Sequence, residues 1–213
     1  LINLGSSCMY PKEAQNPLKV ESLLTSPLET TNEGYALSKI VCQKLCEYHS
    51  KQNISSDFKT LIPCNIYGKF DSFKEEDSHL IPSIIKKVYE AKLNGDNQIK
   101  VWGKGTVRRE FMYAEDLADA IWFCLENIDK LQNSTNIGLG YDFTVLEYYK
   151  IVSEILDYKG TYKMELHKPE GMKRKIVDIE VITNIGWKHK TDIRKGIQLT
   201  YDYFLSQIHN EKI

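Results

Sequence analysis

Short apolar runs alternate along this chain with longer stretches in which apolar residues recur every three or four positions. Leu1 to Leu4 reads as a short buried strand that breaks at the turn Gly5-Ser6-Ser7. Residues 11 to 34 are polar and carry Pro11, Pro17 and Pro27, so they read as a long loop, a kind of segment that is usually functional. Leu37, Val41, Leu45 and Tyr48 then mark a helix beginning near Tyr35. Phe58 to Ile66 is the next strand. Ser78 stands where it can cap a helix bearing Ile81, Ile84, Ile85 and Val88. Further strands are expected at Ile99–Trp102, Asn136–Leu139 and Tyr162–Leu166. Further helices are expected from about Ala114 to Asn127, from a Thr144/Glu147 capping box to about Leu156, near Ile179, and from Asp192 to about Ser206. Strand and helix alternate, which predicts an α/β fold with a parallel sheet.

Composition narrows the function classes. The 213 residues hold 28 Lys+Arg against 29 Asp+Glu, a formal net charge of −1, so a generally basic nucleic-acid binder is not expected. Hydrophobic residues at 42% suffice for a buried core, and no apolar run approaches the ~20 residues of a membrane span. The five cysteines (Cys8, Cys42, Cys46, Cys64, Cys124) are odd in number and irregularly spaced, with no CxxC pair and no zinc-ligand pattern. They read as thiols in a reducing, cytoplasmic setting, with Cys42 and Cys46 as packing residues. Asn53-Ile-Ser55 and Asn133-Ser-Thr135 match the glycosylation sequon, which carries little weight without a signal peptide.

Candidate chemistry begins at Tyr35-Ala-Leu-Ser-Lys39. Positions i and i+4 share a helix face, so the phenol and the ammonium project together. An ammonium beside a phenol favours the phenolate and equips it to exchange a proton with a carbonyl or alkoxide. Alone, the pair is equally a solvated helix face. Upstream, Ser6 ends a strand, the place where ligands bind in parallel sheets. Ser6, Tyr35 and Lys39 together make a Ser-Tyr-Lys set: Ser6 to hold a substrate oxygen, Tyr35 to transfer the proton, Lys39 to tune Tyr35 and contact a cofactor ribose. Glu115-Asp116 reads as acid at a helix N-terminus rather than a catalytic pair. Gly103-Lys-Gly105 and Gly138-Leu-Gly140 read as turns, since neither extends to a phosphate-loop pattern.

The segments 5–12 (Gly-Ser-Ser-Cys-Met-Tyr-Pro-Lys), 31–39 (Thr-Asn-Glu-Gly-Tyr-Ala-Leu-Ser-Lys), 63–68 (Pro-Cys-Asn-Ile-Tyr-Gly) and 109–116 (Arg-Glu-Phe-Met-Tyr-Ala-Glu-Asp) resemble the extended short-chain dehydrogenases/reductases. Asp77-Ser-His-Leu-Ile-Pro82, Val101-Trp-Gly-Lys-Gly-Thr106 and Lys168-Pro-Glu-Gly171 narrow the resemblance to the GDP-L-fucose synthases, which are GDP-4-keto-6-deoxy-mannose epimerase-reductases. It runs from Leu1 to about Leu205. It implies a Rossmann-like doubly wound parallel sheet with an interleaved smaller α/β substrate domain. Ser6, Cys8, Tyr35, Lys39 and His79 would be catalytic, with Cys8 the base and His79 the acid that invert C3 and C5, and Tyr35 the proton donor when NADPH reduces C4. A thiolate suits a base and a histidine suits an acid at working pH. Leu4, Gly5, Ser6, Ser7, Tyr35, Lys39, Pro63, Cys64, Asn65, Ile66 and His79 would line the cofactor. Lys87, Trp102, Arg109, Glu170 and Lys175 would hold the GDP-sugar; Glu170 and Lys175 are equally readable as solvated surface charges. Lys87 stands where the family carries arginine, which exchanges a planar fork for a point charge. A homodimer through the helix bearing Tyr35 and Lys39 is implied, and no metal.

The resemblance also implies domains at 1–75 (the rest of a dinucleotide-binding domain) and 76–213 (mainly sugar-nucleotide binding, returning to the first around 110–140). None of the twelve glycines forms GxGxxG. About 100 residues carrying that motif are therefore expected ahead of Leu1, on the size of a βαβαβ half. Two alternatives stay open: a C4 reductase of another GDP-keto-deoxy-sugar such as a heptose, and a non-catalytic GDP-sugar-binding remnant.

Overall fold

The structure, a computed structural model, describes residues 1–52, 57–74, 77–168 and 171–210. Its strands in chain order are β1 (Ile2–Leu4), β2 (Lys59–Pro63), β3 (Asn65–Tyr67), β4 (Gln98–Trp102), β5 (Arg108–Arg109), β6 (Phe111–Tyr113), β7 (Ser134–Ile137), β8 (Phe143–Thr144), β9 (Thr161–Glu165) and β10 (Arg174–Lys175). The helices are α1 (Glu33–Gln52), α2 (Leu80–Asn94), α3 (Ala114–Glu126), α4 (Val145–Ile155), α5 (Glu180–Ile185) and α6 (Ile193–Asn210). The chain divides into two compact units, each assembled from three separate segments. The first takes Leu1–Ile66, Glu110–Asp142 and Arg174–Lys190; the second takes Tyr67–Arg109, Phe143–Lys173 and Thr191–Ile213. The domain boundary expected after residue 75 and the sequon at Asn53 fall outside the described residues.

In the first unit, β1, β2 and β7 form a parallel sheet, with Leu4 facing Leu61 and Ile62 facing Asn136 in register. Parallel neighbours need a crossover, and α1 provides it between β1 and β2. Leu61, Ile62 and Ile137 are fully buried with Met9, Leu18, Met112 and Cys124. Gly5 packs closely on this layer: a Cβ there would come within 2.9 Å of Met9 Sδ and 3.3 Å of Ile62, so a larger residue would have to push the Met9 side chain aside. The proline-rich loop is pinned to the unit. Tyr10 donates its hydroxyl to Asn136 Oδ1 at 2.5 Å, and Asn136 Nδ2 donates to Leu18 O at 2.8 Å. Burial pushes the Tyr10 phenol well above its ordinary range.

The helix bearing Tyr35 forms as expected, but it buries the other face. Ala36, Ile40, Gln43 and Cys46 are the buried residues. Leu37, Val41, Leu45 and Tyr48 are exposed, between 46% and 62%. Cys46 packs as expected, whereas Cys42 is exposed. All five cysteines are free thiols.

In the second unit, β4 and β9 pair in parallel and β5 and β8 pair antiparallel. Ile81, Ile84, Ile85 and Val88 of α2 are fully buried, as their spacing predicts. The capping box on α4 is present: Thr144 Oγ1 accepts from Glu147 N–H, and the Glu147 carboxylate accepts from Thr144 N–H. Ser78 does not cap α2. The helix starts one residue later than its pattern suggests, His79 takes the cap position without a side-chain bond, and Ser78 donates its hydroxyl to His79 O. No described helix is long and apolar enough to cross a membrane.

Candidate active site

The turn after β1 positions Ser6, Ser7 and Cys8 at the carboxyl end of a parallel strand, where loops can approach a ligand. Ser6 has extended backbone and its Oγ accepts from Cys8 N–H at 3.2 Å. That bond uses a lone pair and leaves the hydroxyl proton for an outside acceptor. Ser7 is buried, and Gly5 N–H is tied to Leu61 O at 2.8 Å.

Tyr35 and Lys39 lie one turn apart on α1, with Lys39 Nζ 5.8 Å from the Tyr35 ring centroid. The same ammonium donates to Leu4 O at 2.9 Å. Lys39 therefore ties the Tyr35 face of α1 to the end of β1, two residues before Ser6. An ammonium has three donors, so this tether leaves others for a ligand hydroxyl. Tyr35 is 51% exposed.

Cys8 is half-buried, and Lys175 Nζ sits 3.2 Å from its Sγ. Lys175, which the resemblance implies as a sugar-nucleotide residue, donates to the Cys8 sulfur in this structure.

The other first-unit residues are clustered at the end of β2. Pro63 and Cys64 are buried, and Asn65 Nδ2 donates to Glu110 O at 2.7 Å. Burial pushes the Cys64 thiol well up, which makes it an inert packing group, with Glu110 adding to the shift. Ile66 packs against the core.

Glu110 is the residue that the pattern of the sequence did not single out. It is fully buried, and its carboxyl accepts from three backbone N–H groups: Leu139 and Gly140 on one oxygen, Val177 at 3.0 Å on the other. Burial nevertheless pushes it up to about 7, against the pull of those hydrogen bonds. It fastens the Gly138–Gly140 turn and the segment just after Lys175. Its only sequence signal was an acid wedged between Arg109 and Phe111. Asp116 has the structural role expected of it, accepting from Lys190 N–H at 3.2 Å.

The second unit carries His79, Lys87, Trp102 and Arg109. His79 is exposed at the head of α2; Asp71, raised mainly by burial, is drawn back down by the nearby imidazole. Lys87 Nζ lies 5.5 Å and Lys168 Nζ 5.0 Å from the Trp102 ring centroid. Arg109 Nη1 donates to Arg108 O at 2.8 Å and to Met172 O at 2.6 Å, which fixes the guanidinium against the chain after Gly171. Glu170 lies outside the described residues.

Residues 1–140 match the NAD dependent epimerase/dehydratase family. GDP-L-colitose synthase of Yersinia pseudotuberculosis is 49% identical over 211 residues, covering 99% of this chain and 68% of that protein. GDP-L-fucose synthase of Azorhizobium caulinodans is 44% identical over 206 residues, covering 97% and 66%. Among solved structures, a GDP-mannoheptose C4 reductase from Campylobacter jejuni with NADP bound superimposes with a TM-score of 0.86 at 29% identity, covering 96% of this chain and 69% of that one. The chain thus spans about two-thirds of the length of the relatives it matches. A parallel sheet, a lysine-tethered tyrosine at its carboxyl edge and a matched family over two-thirds of the sequence lead to one conclusion: the chain belongs to the NAD dependent epimerase/dehydratase family.

Proposed function

We infer that the protein is an NADPH-dependent epimerase-reductase that converts GDP-4-dehydro-6-deoxy-D-mannose to GDP-L-fucose in the cytoplasm. The observation that carries this reading is the Lys39 ammonium held between the Tyr35 ring and the Leu4 carbonyl. A phenol with a fixed cation beside it is suited to give its proton to an alkoxide and to recover it from solvent. NADP in the C4 reductase neighbour and the names of the two relatives support the cofactor and substrate class.

The chain's own groups fit such a cofactor, because the Lys39 ammonium keeps donors for ribose hydroxyls and Ser6 keeps its hydroxyl proton beside it. NADPH, when bound, supplies the hydride that reduces the C4 ketone. Ser6 donates a hydrogen bond to the ketone oxygen and keeps its proton, and Tyr35 transfers one proton to that oxygen as charge develops. For epimerisation, protons at C3 and C5 are acidic because both carbons adjoin the ketone. Cys8, with Lys175 on its sulfur, removes a proton, and His79 returns one to the opposite face. Lys87, Trp102, Arg109, Glu170 and Lys175 hold the GDP-sugar, with Lys87 and Arg109 on its diphosphate. The exposed apolar face of α1 suits a homodimer, since Leu37, Val41, Leu45 and Tyr48 form one stripe.

The test is NADPH consumption with GDP-4-dehydro-6-deoxy-D-mannose. Tyr35→Phe should lower kcat at least 100-fold with little change in KM. Retention of most of the rate would remove Tyr35 as the acid. A second reading is a synthase of a different GDP-deoxy-sugar or heptose, favoured by the relative named for GDP-L-colitose and by the heptose reductase neighbour. Product analysis separates the two: reduction without any C3 or C5 epimer, and without change in Cys8→Ser, excludes the fucose product.

A further inference from the structure

The lysines around Trp102 pose an electrostatic question. Trp102 ends β4 and is 54% exposed. Lys87 reaches it from α2, and Lys168 reaches it from the turn after β9, where its own N–H is tied to Glu165 O. Both ammoniums gather within 5.5 Å of one ring centroid, and among the described residues neither has a carboxylate within salt-bridge distance. Glu165 is the register partner of Trp102, yet its carboxylate pairs with neither. On the same face, Lys100 and Lys163 stand opposite each other in register, a like-charge pair that adds to the positive potential. Attraction to the indole ring holds each ammonium beside Trp102, and an anion bound there would meet both charges.

We propose that Lys168 is a further phosphate-gripping residue beside Lys87 and Arg109, and that with Lys87 it forms a two-point clamp organised by Trp102 for the diphosphate of the nucleotide sugar. This rests on the GDP-sugar reading above. Lysine is a point charge that lacks the two-pronged grip of a guanidinium, so one ammonium alone holds a diphosphate loosely. Two ammoniums arriving from different elements restore a two-point grip without a planar fork. Trp102 sets their separation by packing against both, and the flexible stems of the two lysines let each meet a different phosphate. Lys168 thereby discriminates a diphosphate from an uncharged nucleoside.

The experiment measures binding of GDP and of guanosine to the full protein by calorimetry at two salt concentrations. Lys168→Met keeps the stem and removes the charge, and as a surface change it leaves the fold intact. We expect its Kd for GDP to rise about tenfold, the loss of one charged hydrogen bond, with guanosine binding unchanged. The salt dependence of GDP binding should become shallower in the variant, and Lys168→Arg should restore affinity. Unchanged GDP affinity in Lys168→Met overturns the clamp and leaves the GDP-sugar reading standing. An equal loss for GDP and guanosine also overturns it, because Lys168 would then act through the ring rather than on phosphate. Failure of the wild-type protein to bind GDP overturns both.

Discussion

Replacing Glu110 by glutamine sets two opposing forces against each other at one buried carboxyl. Oε1 accepts from Leu139 and Gly140, and Oε2 accepts from Val177. An amide can keep the first pair of bonds but must turn its NH2 towards Val177 N–H, leaving a buried donor unmatched at a cost of about 1–3 kcal/mol at any pH. The wild-type carboxyl has a second burden. Burial raises it from 4.5 to about 7. Between these values the unfolded chain is ionised at this position while the folded protein keeps its proton. Stability from this group is therefore complete below about pH 4.5 and is lost as pH rises to about 7. The shift is worth about 3 kcal/mol at most. Glu110→Gln cannot titrate, so its deficit relative to wild type should be largest near pH 5 and should shrink by up to about 3 kcal/mol by pH 8. Urea unfolding of both proteins at pH 5, 6, 7 and 8 measures the difference directly. A deficit that grows with pH would refute the reasoning, because it would mean that the three N–H groups outweigh burial and hold the carboxyl ionised.

Other substitutions test single contacts. Tyr10→Phe leaves Asn136 Oδ1 buried without its donor and should cost about 1–3 kcal/mol in denaturant unfolding. Thr144→Ala removes the side-chain half of the α4 capping box and should cost about 1 kcal/mol by the same measurement. Lys175→Met removes the cation in contact with Cys8 Sγ. With that contact gone, the rate of Cys8 alkylation by iodoacetamide, read by peptide mass spectrometry, should change while exposed Cys42 reacts as in wild type. Equal rates at Cys8 in both proteins would show that Lys175 has no hold on the thiol.

The alternation of strands and helices was readable where an element is long enough to display its period. α4 was legible to the residue, since Thr144 and Glu147 state its start chemically. On α1 the period identified a helix but not its buried side: Leu37, Val41, Leu45 and Tyr48 are the more apolar stripe, yet the unit buries Ala36, Ile40, Gln43 and Cys46. Small residues on the buried stripe allow close approach to the sheet, and hydropathy alone does not register that. The strands Arg108–Arg109 and Phe143–Thr144 are two residues each, too short for any alternation to appear. The motifs located Ser6, Tyr35 and Lys39 as a set because they are near in sequence. Lys175 lies 167 residues from Cys8, and only the folded chain joins them. Glu110 was hidden for a related reason: its partners at 139, 140 and 177 come from two distant segments.

The interleaving of the two units has a consequence for biosynthesis. The chain enters and leaves each unit repeatedly, and the last piece of the first unit is Arg174–Lys190. At the usual pace of about 5–20 residues per second, Cys8 is made roughly 10–30 s before its partner Lys175 exists. Throughout that interval the first unit lacks the strand and helix that complete it, and the thiol is without its cation. A nascent chain of this design cannot fold one unit and then the other as they emerge. Both must wait for the C-terminal third, so the half-made protein is the state most exposed to aggregation and to oxidation at Cys8.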